Sequence, residues 1–118
     1  MRVTNSMLSG QVLLNLQRIP AGVFRKYPFV KAAGLYGSCA KGENTEESDM
    51  DVWIQIDTTE EKEQAVLTSE LSRKVENAKP LFLSKGKLEQ LKKEDSLFFH
   101  ALLFGSITVY GGNDALQL

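Results

Sequence analysis

Two aspartates near the middle of the chain, Asp49 and Asp51, have the residue type and spacing of a metal site. They open a hydrophobic segment, and residues two apart on a strand project from one face with Cα atoms about 6.5–7 Å apart. Paired carboxylates can share Mg²⁺, which takes oxygen ligands and completes its shell with water and substrate phosphates. We therefore predict that Asp49 and Asp51 hold Mg²⁺. Val52 and Ile54 are among the side chains of this segment that should point the other way, into a core.

Gly37 and Ser38 stand where the preceding hydrophobic segment is expected to end. A glycine lets a phosphate approach the backbone closely, and N–H groups at a helix start together with a hydroxyl favour an anion. A phosphate site followed by metal ligands predicts metal-dependent nucleotide chemistry. Lys41 is a further candidate phosphate ligand, and a solvated loop lysine is an equally good interpretation of it.

The order Gly-Ser, Ala-x-Gly and Ser-Asp-x-Asp resembles the DNA polymerase beta superfamily of nucleotidyltransferases, and within it the minimal nucleotidyltransferases (MNT). Lys41 stands where arginine is usual. The matching positions are Gly37, Ser38, Ala40, Gly42, Ser48, Asp49 and Asp51.

The resemblance implies transfer of a nucleoside monophosphate from an NTP such as ATP to an acceptor hydroxyl, with Mg²⁺ as cofactor. It implies that Asp49 and Asp51 are catalytic residues and that each of them is also a metal ligand. It also implies that Ser48 joins Gly37, Ser38 and Lys41 in nucleotide binding. Such small proteins are often paired with a helical HEPN protein in toxin–antitoxin modules, where the nucleotidyltransferase modifies or neutralises its partner.

The chain departs from the family pattern at the third strand. Active members carry a third carboxylate there, but residues 79–83 read Lys-Pro-Leu-Phe-Leu. Glu76, just before this segment, is the nearest candidate and Asp95, after it, is a remote one, and neither has the expected position. An alternative function therefore stays open, namely a catalytically degenerate module that acts by association with a HEPN-type protein or with a second copy.

Composition limits the class of protein. The 118 residues carry a formal net charge of −1, which gives no support for a polyanion-binding surface. No apolar run is long enough to span a membrane, and the N-terminus shows no signal-peptide pattern. The single cysteine, Cys39, suits a reducing cytoplasm, and we interpret it as a small filler because no base partner is apparent. One domain over 1–118 is expected, with a loose tail from about residue 111.

Hydrophobic periodicity and turn residues predict alternating helices and strands. Thr58 and Glu61 form a capping-box pattern at the start of the third of the predicted helices. The predicted elements are a helix over 4–18, a short helical turn over 23–27, strands over 29–36 and 49–57, a helix over 58–77, a strand over 79–83, helices over 84–93 and 96–104, and a strand over 107–110. This pattern predicts an α/β (α+β) fold, with a small mixed sheet and helices packed on one face.

Three aromatic features have competing interpretations. Trp53 shares the strand face of Asp51, so it either stacks on a base or, more commonly for such a residue, packs. His100 is the only histidine, and we interpret it as a packed residue rather than a base. The segment 96–104 is apolar almost all round, so its helix is either fully buried or meets a partner.

Overall fold

The predicted helices and strands follow one another in the predicted order, with one additional short helix at residues 38–41. The computed structural model describes residues 10–20, 22–45, 47–57 and 60–111. Its elements are α1 (Gly10–Arg18), α2 (Gly22–Arg25), β1 (Val30–Leu35), α3 (Ser38–Lys41), β2 (Met50–Ile56), α4 (Glu61–Lys74), β3 (Ala78–Leu83), α5 (Lys85–Glu94), α6 (Ser96–Gly105) and β4 (Ile107–Tyr110). The predicted α/β class is confirmed.

The four strands form one mixed sheet in the order β3-β2-β1-β4. β1 runs antiparallel to both β2 and β4, whereas β2 and β3 are parallel. Pro80 therefore lies on an edge strand, where proline is tolerated. The sheet places β2 between β1 and β3, so side chains from three strands meet at the beginning of β2.

Alternation along β2 divides its side chains between two hydrophobic clusters. Met50, Val52 and Ile54 point toward the first cluster, which includes Phe24 of α2 and Leu67 of α4. Trp53 points the other way, into a second cluster built from β3, α5 and α6, with members Leu83, Leu88, Leu91, Phe99 and Leu102. The strand period of two is therefore realised as predicted.

Helices pack against both faces of the sheet, whereas the sequence predicted helices on one face. The reason lies in Trp53 and Leu83, both fully buried on the second face. Such large apolar surfaces are stabilised when helices cover them, and α5 and α6 do so. On that face of β2, the half-buried Asp51 lies before Trp53, at the beginning of the strand, and the half-buried Gln55 lies after it.

Helix ends follow local capping chemistry. The Ser84 hydroxyl accepts a hydrogen bond from the Lys87 N–H at 3.1 Å, and the predicted cap Asp95 accepts one from the Phe98 N–H at 3.3 Å. α4 ends at Lys74 rather than near residue 77. The capping box at Thr58, the first residues of the predicted 4–18 helix and the tail beyond residue 111 lie outside the described residues. No helix in the described ranges is long and apolar enough to cross a membrane.

Candidate functional site

The two predicted metal ligands lie at the start of the central strand. Asp49 precedes β2 and is exposed, and Asp51 is its second residue and half-buried. Because Met50 and Val52 point into the first cluster, Asp51 projects from the opposite face. The pKa of the Asp51 carboxyl is raised overall, chiefly by burial. The nearby Lys79 ammonium lowers this pKa, and the charge of Asp49 raises it. The two carboxylates therefore interact electrostatically at one end of the sheet.

Gly37 brings the backbone against this carboxylate. It is the residue before α3 and has φ 65° and ψ −143°, a conformation for which glycine is favoured. A Cβ atom built at position 37 would lie 3.2 Å from Asp51 Oδ2. Its carbonyl accepts hydrogen bonds from the Ala40 and Lys41 N–H groups, which closes the turn of α3. The structure thus brings Gly37 and Ser38, the first residue of α3, to the end of β2 that carries Asp51.

A buried amide network ties this region to α1. The Asn15 side chain donates to the Cys39 carbonyl at 2.9 Å and to Asn44 Oδ1 at 2.7 Å, and Asn44 donates back to Asn15 Oδ1 at 3.0 Å. Asn15 is completely buried. The network holds α3 and the loop after it against α1. Sequence reasoning missed both asparagines, although Asn15 shares the buried face of α1 with Val12, three residues earlier.

The remaining predicted residues of this segment have varied surroundings. Ser48 Oγ accepts a hydrogen bond from the Thr45 N–H at 3.0 Å and so closes a turn within the loop. Lys41 is the exposed last residue of α3. Cys39 is fully buried, its thiol donates to the Asp49 carbonyl at 3.4 Å, and burial raises its pKa. Because a raised pKa disfavours the thiolate, these contacts agree with a packed filler rather than a nucleophile.

Two further polar residues flank Asp51 across the sheet, and sequence reasoning missed both. On the β1 side, the Tyr36 N–H donates to the Asp51 carbonyl at 3.2 Å. Burial, followed by the charge of Asp51, raises the pKa of the Tyr36 hydroxyl to about 12. On the β3 side, Lys79 is the register partner of Asp51. Strand register creates this row, and the sequence alone does not specify register between distant segments.

The alternative aromatic candidates do not form part of this cluster. Trp53 is fully buried among apolar side chains, so the interpretation that it stacks on a base is wrong and packing is its role. His100 is exposed; its Nδ1 lies 2.7 Å from the Ser96 carbonyl oxygen, and its ring stacks on Phe104. It belongs to the outer surface of α6 rather than to the core.

The donor set at the start of β2 consists of carboxylate oxygens, which are ligands that Mg²⁺ prefers. Within the described residues, no group of three His, Cys, Asp or Glu side chains lies close enough together to hold a metal. Asp49 and Asp51 are two carboxylates at this end of the sheet, and the Gly37 backbone closely approaches the carboxylate of Asp51. This arrangement fits a divalent cation whose other ligands come from water and from a phosphate group.

Comparison with known proteins identifies the family. The model of the polymerase beta nucleotidyltransferase family matches residues 21–115, and the chain belongs to this family. The match covers Gly37, Asp49, Asp51 and Lys79. Members of the family generally use a divalent metal. No curated protein sequence is significantly similar to the chain.

Solved structures share the fold at low sequence identity. A toxin–antitoxin structure with AMP-PNP is 16% identical, with a TM-score of 0.60 over 87% of this chain and 78% of that chain. A mutant of the toxin–antitoxin pair MntA–HpeT is 14% identical, with a TM-score of 0.55 over 79% and 71%. A second MntA–HpeT mutant is 16% identical, with a TM-score of 0.52 over 93% and 78%. These similarities show that the chain shares their fold.

Proposed function

We propose that this protein is a Mg²⁺-dependent nucleotidyltransferase that transfers a nucleoside monophosphate from an NTP, first of all ATP, to a hydroxyl of a partner protein. The observation that carries the proposal is the approach of the Gly37 backbone to the Asp51 carboxylate at the end of β2. Asp49 adds a second negative charge there. Within a nucleotidyltransferase fold, this combination suits a phosphate chain and a cation bound side by side.

Each residue has a defined task in the proposed reaction. Gly37 and Ser38 would bind the β- and γ-phosphates, and Asp49 and Asp51 would hold Mg²⁺, which neutralises phosphate charge when bound. The acceptor oxygen forms a bond to the α-phosphorus, pyrophosphate leaves with the electrons of the broken P–O bond, and the hydroxyl proton passes to solvent. The protein contributes mainly orientation and electrostatic stabilisation.

The solved relatives support a nucleotide and a protein partner. One toxin–antitoxin structure contains AMP-PNP, an ATP-like nucleotide, and the others are of toxin–antitoxin pairs. We therefore propose ATP as the first nucleotide to test and a HEPN-type toxin as the partner that carries the acceptor hydroxyl. Lys41 and Ser48 stay secondary candidates for nucleotide binding, because Lys41 is exposed and Ser48 already closes a turn.

Calorimetric titration tests the site directly. ATP and the other NTPs are titrated into wild type with and without Mg²⁺, and into a variant with Asp49→Asn and Asp51→Asn. Asp57→Asn is the matched control, since Asp57 is exposed just beyond the far end of β2, about 20 Å from Asp51 along an extended strand. We expect Mg²⁺-dependent binding in wild type and in the control, and its loss in the double variant.

Transfer is then followed with ATP labelled at the α-phosphate and a HEPN-type protein as acceptor. We expect the label to become attached to the acceptor when wild type is present. We expect no labelling when the double Asn variant replaces wild type. Equal labelling by both proteins would refute the assignment of Asp49 and Asp51.

A second candidate function is a binding module that acts by association without catalysis. The observation that favours it is the outer face of α6, where Leu97 is 86% and Phe104 is 78% exposed. Together with His100 and Ala101 they form one continuous stripe at helical spacing, and unpartnered apolar stripes of this kind mark interaction surfaces. The occupant would be a HEPN-type protein or, in a homodimer, a second copy of this chain.

Substitution of the stripe separates the two functions. Leu97→Ser with Phe104→Ser should abolish complex formation with a HEPN-type protein, or dimerisation in analytical ultracentrifugation, while the double Asn variant should still associate. If the stripe variant associates as wild type does, α6 is not the binding surface.

A further inference from the structure

Lys79 lies beside Asp51 on the neighbouring strand and projects from the same face. The parallel register pairs Met50 with Ala78 and Asp51 with Lys79. Met50 and Ala78 both pack in the first hydrophobic cluster, so the next pair along must project from the opposite face, since side chains alternate on a strand. The ammonium group of Lys79 and the Asp51 carboxylate thus lie at the same end of the sheet.

The lysine is available to a ligand. Lys79 is exposed, and the ion pairs in the described part of the chain involve Lys26, Lys74 and Glu70 rather than Lys79. An ammonium group has three N–H donors and no acceptor, so it suits an anion rather than a metal ion. The charge of Lys79 lowers the pKa of the Asp51 carboxyl, whereas the charge of Asp49 raises it.

The position of Lys79 is also one at which an additional metal ligand could stand beside Asp51. Two-metal displacement needs ions about 3.5–4 Å apart that share ligands. A carboxylate on the third strand, at the β3 neighbour of Asp51, could supply such a shared ligand. Here that position carries a positive charge, and the described residues contain no third acidic or imidazole ligand near the pair. A triphosphate brought to Asp49 and Asp51 needs compensating positive charge, and a lysine at this position can supply it.

We propose that Lys79 binds the triphosphate of the nucleotide and supplies, from the protein, positive charge that a second metal ion would supply in a site with three carboxylates. The inference rests on the proposed nucleotidyltransferase function and names a phosphate-binding residue that lies outside the Gly37–Ser38 segment. In this proposal Asp49 and Asp51 bind one cation, and Lys79 binds the phosphates.

Binding measurements on wild type, Lys79→Met, Lys79→Arg and Lys31→Met test the inference. Lys31 is the matched control because it is an exposed strand lysine at the far end of β1. ATP and AMP are titrated calorimetrically in the presence of Mg²⁺, and thermal unfolding without nucleotide shows that each variant is folded. Loss of one charge-assisted contact should weaken ATP binding by Lys79→Met about tenfold or more, with a smaller effect on AMP.

The variants distinguish the inference from the function on which it rests. Lys79→Arg should retain most of the ATP affinity, and Lys31→Met should bind as wild type does. Equal ATP affinity of Lys79→Met and wild type overturns the role of Lys79 alone. Tighter binding by Lys79→Met also overturns it, because the lysine would then compete with the cation. No nucleotide binding by wild type overturns both the inference and the proposed function.

A charge reversal tests the placement of residue 79 without nucleotide. Lys79→Asp adds a third carboxylate beside Asp51, so it should bind Mn²⁺ more tightly than wild type when titrated by electron paramagnetic resonance. The same variant should bind ATP more weakly. Unchanged Mn²⁺ affinity would show that residue 79 does not face the carboxylate pair and would overturn the inference.

Discussion

Two carboxylates of this protein, Asp51 and Glu70, have opposite electrostatic surroundings. Glu70, on α4, accepts hydrogen bonds from Lys26 Nζ at 2.6 Å, from Lys74 Nζ at 2.8 Å and from the Tyr27 hydroxyl. These bonds lower the pKa of the Glu70 carboxyl to about 2. Asp51 is half-buried with its pKa raised, first by burial, and no ion pair of the described residues involves it.

The difference separates a carboxylate that stabilises the fold from one suited to bind a ligand. Glu70 has positive charge and donors supplied by the chain itself, so its charged form is favoured in the folded state. Asp51 leaves part of that compensation to come from outside, as is common at functional sites. A carboxylate of this kind lowers the stability of the folded protein, and a ligand that binds the folded state raises that stability again.

Removing the glycine beside Asp51 should have the largest effect on stability. In Gly37→Ala, the positive φ costs about 1–3 kcal/mol, and the new Cβ, 3.2 Å from Asp51 Oδ2, presses on the carboxylate. We expect a lower free energy of unfolding in urea titrations and weaker Mg²⁺-dependent ATP binding. Gly86→Ala is the control, because Gly86 lies in α5 with nothing within 4 Å of its Cβ position. That change should stabilise by about 0.5–1 kcal/mol.

Neutralising Glu70 should remove a pH-dependent part of the stability. The pKa of Glu70 is lowered to about 2 in the folded state against about 4.3 in the unfolded chain. Its contribution is therefore fully present above about pH 4.3 and is lost as the pH falls toward 2. Glu70→Gln should lower the free energy of unfolding at neutral pH and flatten its dependence on pH between these values. An unchanged pH profile would contradict the ion-pair network.

Neutralising Asp51 should have the smallest effect on stability, and in the opposite direction. Asp51→Asn removes a charge that is disfavoured by burial and by Asp49, so the free energy of unfolding should stay within about 0.5 kcal/mol of wild type or rise. Urea denaturation at neutral pH measures it. Clear destabilisation would mean that Asp51 has structural partners, and the contrast with Glu70 would fail.

Much of the fold and part of the candidate site are readable from the sequence. Alternation in the segment from Asp49 to Asp57 places Asp51 and Trp53 on the face opposite Val52, because a strand has a period of two. The spacing of Leu67 and Leu71 identifies the buried side of α4, and Asp95 marks the start of α6. These are local patterns, and the chain near each residue is enough to produce them.

Other features depend on contacts between distant segments. Asn15 and Asn44 form a hydrogen bond although they are 29 positions apart. Glu70 of α4 accepts hydrogen bonds from Lys26 and Tyr27. Lys79 lies beside Asp51 only because of the register between β2 and β3. The sequence by itself determined the element order, the glycine turn and the acidic pair, since these follow from local geometry and residue chemistry. Only the tertiary structure decided which groups compensate each carboxylate, because strand register and packing bring those charges together.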